Sequence, residues 1–179
     1  MDLRVHIVVA AALGALACTD REPAGPDAAP SLAELDIGSA EVDGTGFVHT
    51  EDGVDVLLVP GSQGGFHIWT GLRVAGATGE FRIVRSARRV RDDALILRAS
   101  PFAVEVPADA EGGWEAHNAA PSFMCPSPLG VMVRDETIEL VAELRSREDD
   151  ALLATDTMRV TPRCPDGDHH AFCLEICSG

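Results

Sequence analysis

Tyrosine and lysine are both missing from this 179-residue chain, which carries one asparagine, Asn118, and one glutamine, Gln63. Aromatic residues make up 4% of it, so aliphatic side chains must fill most of any core. With lysine absent, all 14 basic residues are arginine, set against 29 Asp and Glu. The net charge is −15 and the pI near 4.6. A field of that sign repels phosphate backbones, which argues against nucleic acid as a partner. An apolar run long enough to cross a bilayer is also lacking, as are internal repeats and any helix-period stretch of useful length before the C-terminus. What is present is 46% hydrophobic content, too much for a wholly disordered chain and enough for one domain with a moderate core.

The N-terminus carries the strongest signal. Residues 1–6 give a short, weakly basic lead, and residues 7–16 are an unbroken run of apolar or small side chains ending in Ala15, Leu16, Ala17 and Cys18. About ten residues suit the core of a signal peptide rather than a membrane span. Ala15 and Ala17 also satisfy the small-x-small rule for ordinary cleavage, so plain secretion with an incidental Cys18 is one reading. The segment resembles a bacterial lipobox, with Ala15 where that pattern usually has Leu. The resemblance implies cleavage after residue 17 and diacylation of Cys18. Residues 19–30, rich in Pro, Ala, Asp and Gly, suit a flexible tether. Thr19 stands where some lipoproteins carry the Asp of an inner-membrane retention signal, so the resemblance implies an outer-membrane lipoprotein, facing the periplasm or the surface. The division expected is a signal peptide at 1–17, a lipid-anchored linker at 18–31, a β-domain at 32–163 and a Cys-rich tail at 164–179.

From residue 32 onward the pattern has period two, with turn residues every ten or so positions, the signature of an antiparallel sandwich or barrel. Strands are expected at 54–59 after a hairpin turn at 51–53, and at 66–74, 81–90, 94–97, 102–106, 137–144 and 152–160. The clearest is 137–144, where Ile138, Leu140, Ala142 and Leu144 face one way and Glu139 and Glu143 the other. A short helix is expected at 171–176 with Asp168 as its N-cap. The fold class expected is an all-β, immunoglobulin-like antiparallel sandwich with a disulfide-pinned C-terminal tail.

Setting Cys18 aside leaves Cys125, Cys164, Cys173 and Cys177, an even set that in an exported protein argues for two disulfides among three possible connectivities. Cys173 and Cys177 lie one helical turn apart, which does not favour bonding them to each other. The expected arrangement ties them to Cys164 and Cys125. Metal is the competing reading, since Asp166, Asp168, His169, His170, Cys173 and Cys177 crowd one segment and thiolate with imidazole suits zinc or copper. An oxidising envelope and the lack of paired CxxC spacing weigh against it, and no metal or cofactor is expected.

The most distinctive stretch of the mature chain is residues 60–69, Pro-Gly-Ser-Gln-Gly-Gly-Phe-His-Ile-Trp. It resembles a PGxQGGxHxW segment of uncharacterised predicted lipoproteins of Gram-negative bacteria, a family that brings no established activity. Gly64 and Gly65 allow a positive φ or a bulge at the strand entry. Phe66, Ile68, Leu72 and Val74 then take one face, and His67, Trp69 and Arg73 the other, about 7 Å apart per alternate step. If that second face is open, the three could bind a sugar, a peptide carboxylate or an envelope partner. The structural alternative is that Trp69 packs under a loop, His67 satisfies a turn and Arg73 pairs with an acid.

Other constellations are weaker. Arg82, Arg85, Arg88, Arg89 and Arg91 read as a solvated strand neutralising nearby acids. Asp166 and Asp168 lack a calcium-loop register, Ser62 lacks the strand–turn–helix context of a nucleophile, and His117 near Trp114 is an isolated pair. The function expected is a non-enzymatic envelope lipoprotein, a binding or structural module held to a membrane by lipid on Cys18. The alternative is a periplasmic metal-binding domain built on the C-terminal His and Cys. A hydrolase is the least supported.

Overall fold

A computed structural model describes residues 33–110, 113–116, 119–127 and 130–179. Residues 1–32, including Cys18, and His117 lie outside these. Among the described residues, ten strands form two packed sheets, an immunoglobulin-like β-sandwich, and one short helix follows.

The first sheet is built around β4 (Phe66–Ala75). Its N-terminal half pairs with β3 (Val59–Pro60) on one edge and β8 (Ala120–Cys125) on the other. Its C-terminal half pairs with β1 (Glu34–Gly38) and β7 (Trp114–Glu115). The second sheet runs β2 (Val54–Leu57), β10 (Leu152–Arg163), β9 (Ile138–Ser146), β5 (Gly79–Arg89) and β6 (Leu95–Val106). Its pairings are antiparallel except β2 with β10, which is parallel.

Period-two alternation explains where the core lies. Ile138, Leu140, Ala142 and Leu144 of β9 have no exposed surface, and Phe66, Ile68, Leu72 and Val74 of β4 face them from the other sheet. Each such Leu or Ile, fully buried, contributes roughly 1.5–3 kcal/mol by transfer from water. Phe66 is the one ring among the described side chains with no exposed surface, in keeping with the aromatic-poor composition.

Three local expectations are corrected. Residues 54–59 are not one strand after a hairpin. Val54 pairs with Val160 of β10, whereas Val59 pairs with His67 of β4, so the chain crosses from one sheet to the other at fully buried Leu58. Alternation breaks at Leu57, Leu58 and Val59, which is the sequence trace of that crossing. The strands expected at 94–97 and 102–106 are one strand, β6, which starts at Leu95 and whose middle is disguised by polar residues and by Pro101, tolerated because β6 is an edge strand. The helix, α1 (His170–Ile176), is capped by His169 without a side-chain hydrogen bond, not by Asp168.

Both expected disulfides are present. Cys164, just after β10 of the second sheet, bonds Cys173 with a Cα–Cα distance of 5.7 Å. Cys125, closing β8 of the first sheet, bonds Cys177 at 5.1 Å. The helix thus lies across one end of the sandwich with a covalent link to each sheet, and Phe172 meets Phe66 at a ring-centroid distance of 5.9 Å.

Candidate functional site

The Pro-Gly-Ser-Gln-Gly-Gly segment makes a tight turn in which the Gly61 and Gly64 amides donate to Gly65 O and Gly61 O. Gly64 has φ +80°, a conformation that costs glycine little. A Cβ on Gly65 would lie 2.6 Å from Cys125 O, so only glycine fits where the turn meets β8. The β4–β8 register shifts between Phe66 and His67, the bulge that the glycines allow.

Beyond the bulge, His67, Trp69 and Arg73 do share the face opposite the core, but their row is not an open platform. The Trp69 indole Nε1 donates to Val42 O at 3.0 Å, and a Cβ on Gly44 would lie 2.9 Å from the same ring. Phe47 closes over Gly38 and Gly71, either of whose Cβ atoms would crowd its ring at about 3 Å. The 39–48 excursion therefore lies along the face, held by reciprocal backbone bonds between Ser39 and Val48. Arg73 stacks on the Phe47 ring with its Cζ 4.8 Å from the centroid and pairs with Glu115. Glycine at 71, mid-strand in the same row, was the available sign that another piece of backbone comes close there.

His67 lies deepest, 5% exposed. Its ring meets Trp69 edge-on at 4.4 Å and Phe123 at 5.9 Å. The turn expectation fails in one respect: neither Nδ1 nor Nε2 has a hydrogen-bond partner among the described residues. Burial without a partner pushes the imidazole pKa below its ordinary value.

Two concavities flank this closed row. A cleft of about 180 Å³ is walled by Trp69, Ile68, Val42, Val56, Leu57 and Asp55, among others. A groove of about 240 Å³ runs between the glycine turn and the Phe123 and Pro126 side of β8, with Gln63 on its wall. Phe123, 56% exposed, was missed because residues 120–125 show no clear alternation.

The C-terminal cluster is organised by sulfur. With all four cysteines in disulfides, none offers a thiolate. His170 Nδ1 is engaged by Pro165 O at 2.9 Å, and among the described residues no group of three or more His, Cys, Asp or Glu is arranged to hold a metal.

The arginine strip of β5 is not uniformly solvated. Arg88 and Arg91 are exposed, but Arg85 and Arg89 point inward and are 5% and 7% exposed. Arg89 is compensated by Asp92, at 2.9 and 2.6 Å, and by Met132 O. Arg85 reaches across the sandwich to β8, where Nη1 donates to Ala120 O at 3.1 Å and Ser122 Oγ at 2.8 Å. The positions 81, 83, 85 and 87 share one parity, so the alternation itself placed Arg85 inside.

No protein-family model matches this chain, and no curated protein does. Among solved structures it is similar to a glycosyl hydrolase family 2 member from Bacteroides cellulosilyticus, at 12% identity and TM-score 0.42, over 72% of this chain and 15% of that one. It is also similar to a β-glucuronidase from Bacteroides uniformis, at 12% identity and TM-score 0.34, over 71% of this chain and 13% of that one. The chain thus spans less than a sixth of the length of these enzymes, and at such TM-scores the likeness carries no argument about activity.

Proposed function

We propose that the chain is an exported lipoprotein of a Gram-negative envelope, held to the membrane, by default the outer one, by lipid on Cys18. In this reading it is a binding or structural module rather than an enzyme. One observation supports it above the rest: both cysteine pairs close into disulfides that fasten the C-terminal helix to the two sheets. Such bridges persist in oxidising compartments and are rare in the cytosol. The signal-like N-terminus and the tether composition agree with that placement, and the acidic surface favours an envelope protein or glycan over nucleic acid as partner. The groove beside Phe123 and Gln63 is where a partner has room, since the His67, Trp69 and Arg73 row is occupied by the chain's own loop.

The test is the intact mass of the full chain recovered from membranes of an exporting bacterial host, with and without reductant. A start at Cys18 carrying a diacylglyceryl mass, with four hydrogens gained on reduction, supports the proposal. The Cys18→Ala variant should then move from the membrane to the soluble fraction. A chain that keeps residues 1–17, or that shows free thiols before reduction, overturns it.

A further inference from the structure

Twelve arginines lie among the described residues. Ten of them hold a carboxylate oxygen within 4.0 Å, as an excess of acid would lead one to expect. Of the other two, Arg98 is exposed to solvent. Arg85 is the exception, being 5% exposed and without a carboxylate among the described residues.

The Arg85 guanidinium is held rigidly on one side only. Nη1 takes both of the contacts to β8, and Ser122 is itself fixed by a 2.7 Å hydrogen bond with Thr70 Oγ1, both residues being fully buried. The Phe102 ring of β6 covers one face, with its centroid 4.8 Å from Cζ. On the other side, among the described residues, buried Nε has no partner and Nη2 donates to none. Burial lowers the Arg85 pKa to about 10, so the group stays cationic at neutral pH. The N–H bonds of Nε and Nη2 project in parallel from one edge of a guanidinium, and that edge is the one that receives both oxygens of a carboxylate. A buried ionised group without a counter-charge is costly and calls for a partner.

We propose that the Nε/Nη2 edge of Arg85, between the edge strands β6 and β8, is a receptor for the carboxylate of a small monocarboxylic acid. Ser122, Ala120 and Phe102 position the fork before the ligand arrives, so the ligand need not pay for ordering it. The strands β6 and β8 lie side by side without hydrogen bonding to each other, so a ligand entering between them breaks no backbone ladder. The site is separate from the Phe123 groove, and the inference does not depend on lipidation.

The test is the Arg side-chain Nε–H region of the proton–nitrogen NMR spectrum of the full chain, oxidised and purified in detergent. The Arg85 signal is assigned by its loss in Arg85→Lys and, should that variant not fold, by its ring-current change in Phe102→Leu. Titration with sodium acetate and sodium butyrate at constant ionic strength should shift this signal downfield and saturably, with half-saturation in the millimolar range or below. Chloride and inorganic phosphate should leave it in place. Where Arg85→Lys folds, its acetate affinity, read from the backbone amide shifts of β6 and β8, should fall at least about tenfold, because an ammonium lacks the fork. An Arg85 signal unmoved by either carboxylate, or moved as far by chloride or phosphate, overturns the inference.

Discussion

Replacing Cys125 and Cys177 together by alanine removes a bridge that closes 52 residues, and replacing Cys164 and Cys173 removes one that closes 9. If the bridges act mainly by restricting the unfolded chain, loop-closure entropy gives about 4 kcal/mol for the longer and about 2.6 kcal/mol for the shorter. The shorter loop lies wholly inside the longer one. Closing it first shortens the outer loop by its own length, which lowers the outer value by only about 0.2 kcal/mol. The two double variants should therefore differ by about 1.5 kcal/mol. Alanine is the right replacement because Cys125, Cys173 and Cys177 are 3% exposed or less, and a serine hydroxyl there would be buried without an assured partner. Urea unfolding followed by tryptophan emission measures the difference, and the slope m should rise in each variant as the unfolded state expands. Against a typical total of 5–15 kcal/mol, both losses are large. Equal losses, or a larger one for the shorter loop, would refute the entropic argument and place the contribution in native packing of the helix instead.

Acidification should weaken the fold through His67. Its pKa is lowered in the native state by burial, so below about pH 6.5 the unfolded chain takes up a proton that the native one refuses, and stability falls as pH drops, by at most about 1.4 kcal/mol per pH unit. His67→Phe should flatten the pH 5–6.5 portion of the stability curve, and an unchanged slope there sinks the assignment. Gly44→Ala puts a side chain at φ +81° and against the Trp69 ring, with an expected cost of about 1–3 kcal/mol. It should also alter Trp69 emission, and a silent spectrum would mean that the 39–48 loop does not rest on the indole.

Much of the fold was legible because alternation is a physical requirement of a half-buried strand. Ile138, Leu140, Ala142 and Leu144 could be assigned to the core by parity alone, and all four are fully buried. The geometry of one helical turn spoke against a bond between Cys173 and Cys177. It left open which of them takes Cys125 and which Cys164, a choice set by where the helix crosses the two sheets. The crossing at Leu58 was not legible as such, because a run of apolar residues does not say which of two sheets it joins. For the candidate site, the sequence placed His67, Trp69 and Arg73 in one row but not the loop that closes it. Loop paths depend on contacts far apart in the chain, such as Trp69 with Val42. Arg85 was misread for a different reason: its charge was weighed above its parity.

The bridge between Cys125 and Cys177 also makes the chain a covalent ring around β9, β10 and α1. A protease that cuts once anywhere between residues 126 and 163 releases nothing, because both halves remain joined through sulfur. The nicked molecule would run intact on a non-reducing gel and as two pieces once reduced. Damage of that kind would leave the domain assembled until a reductant reached it.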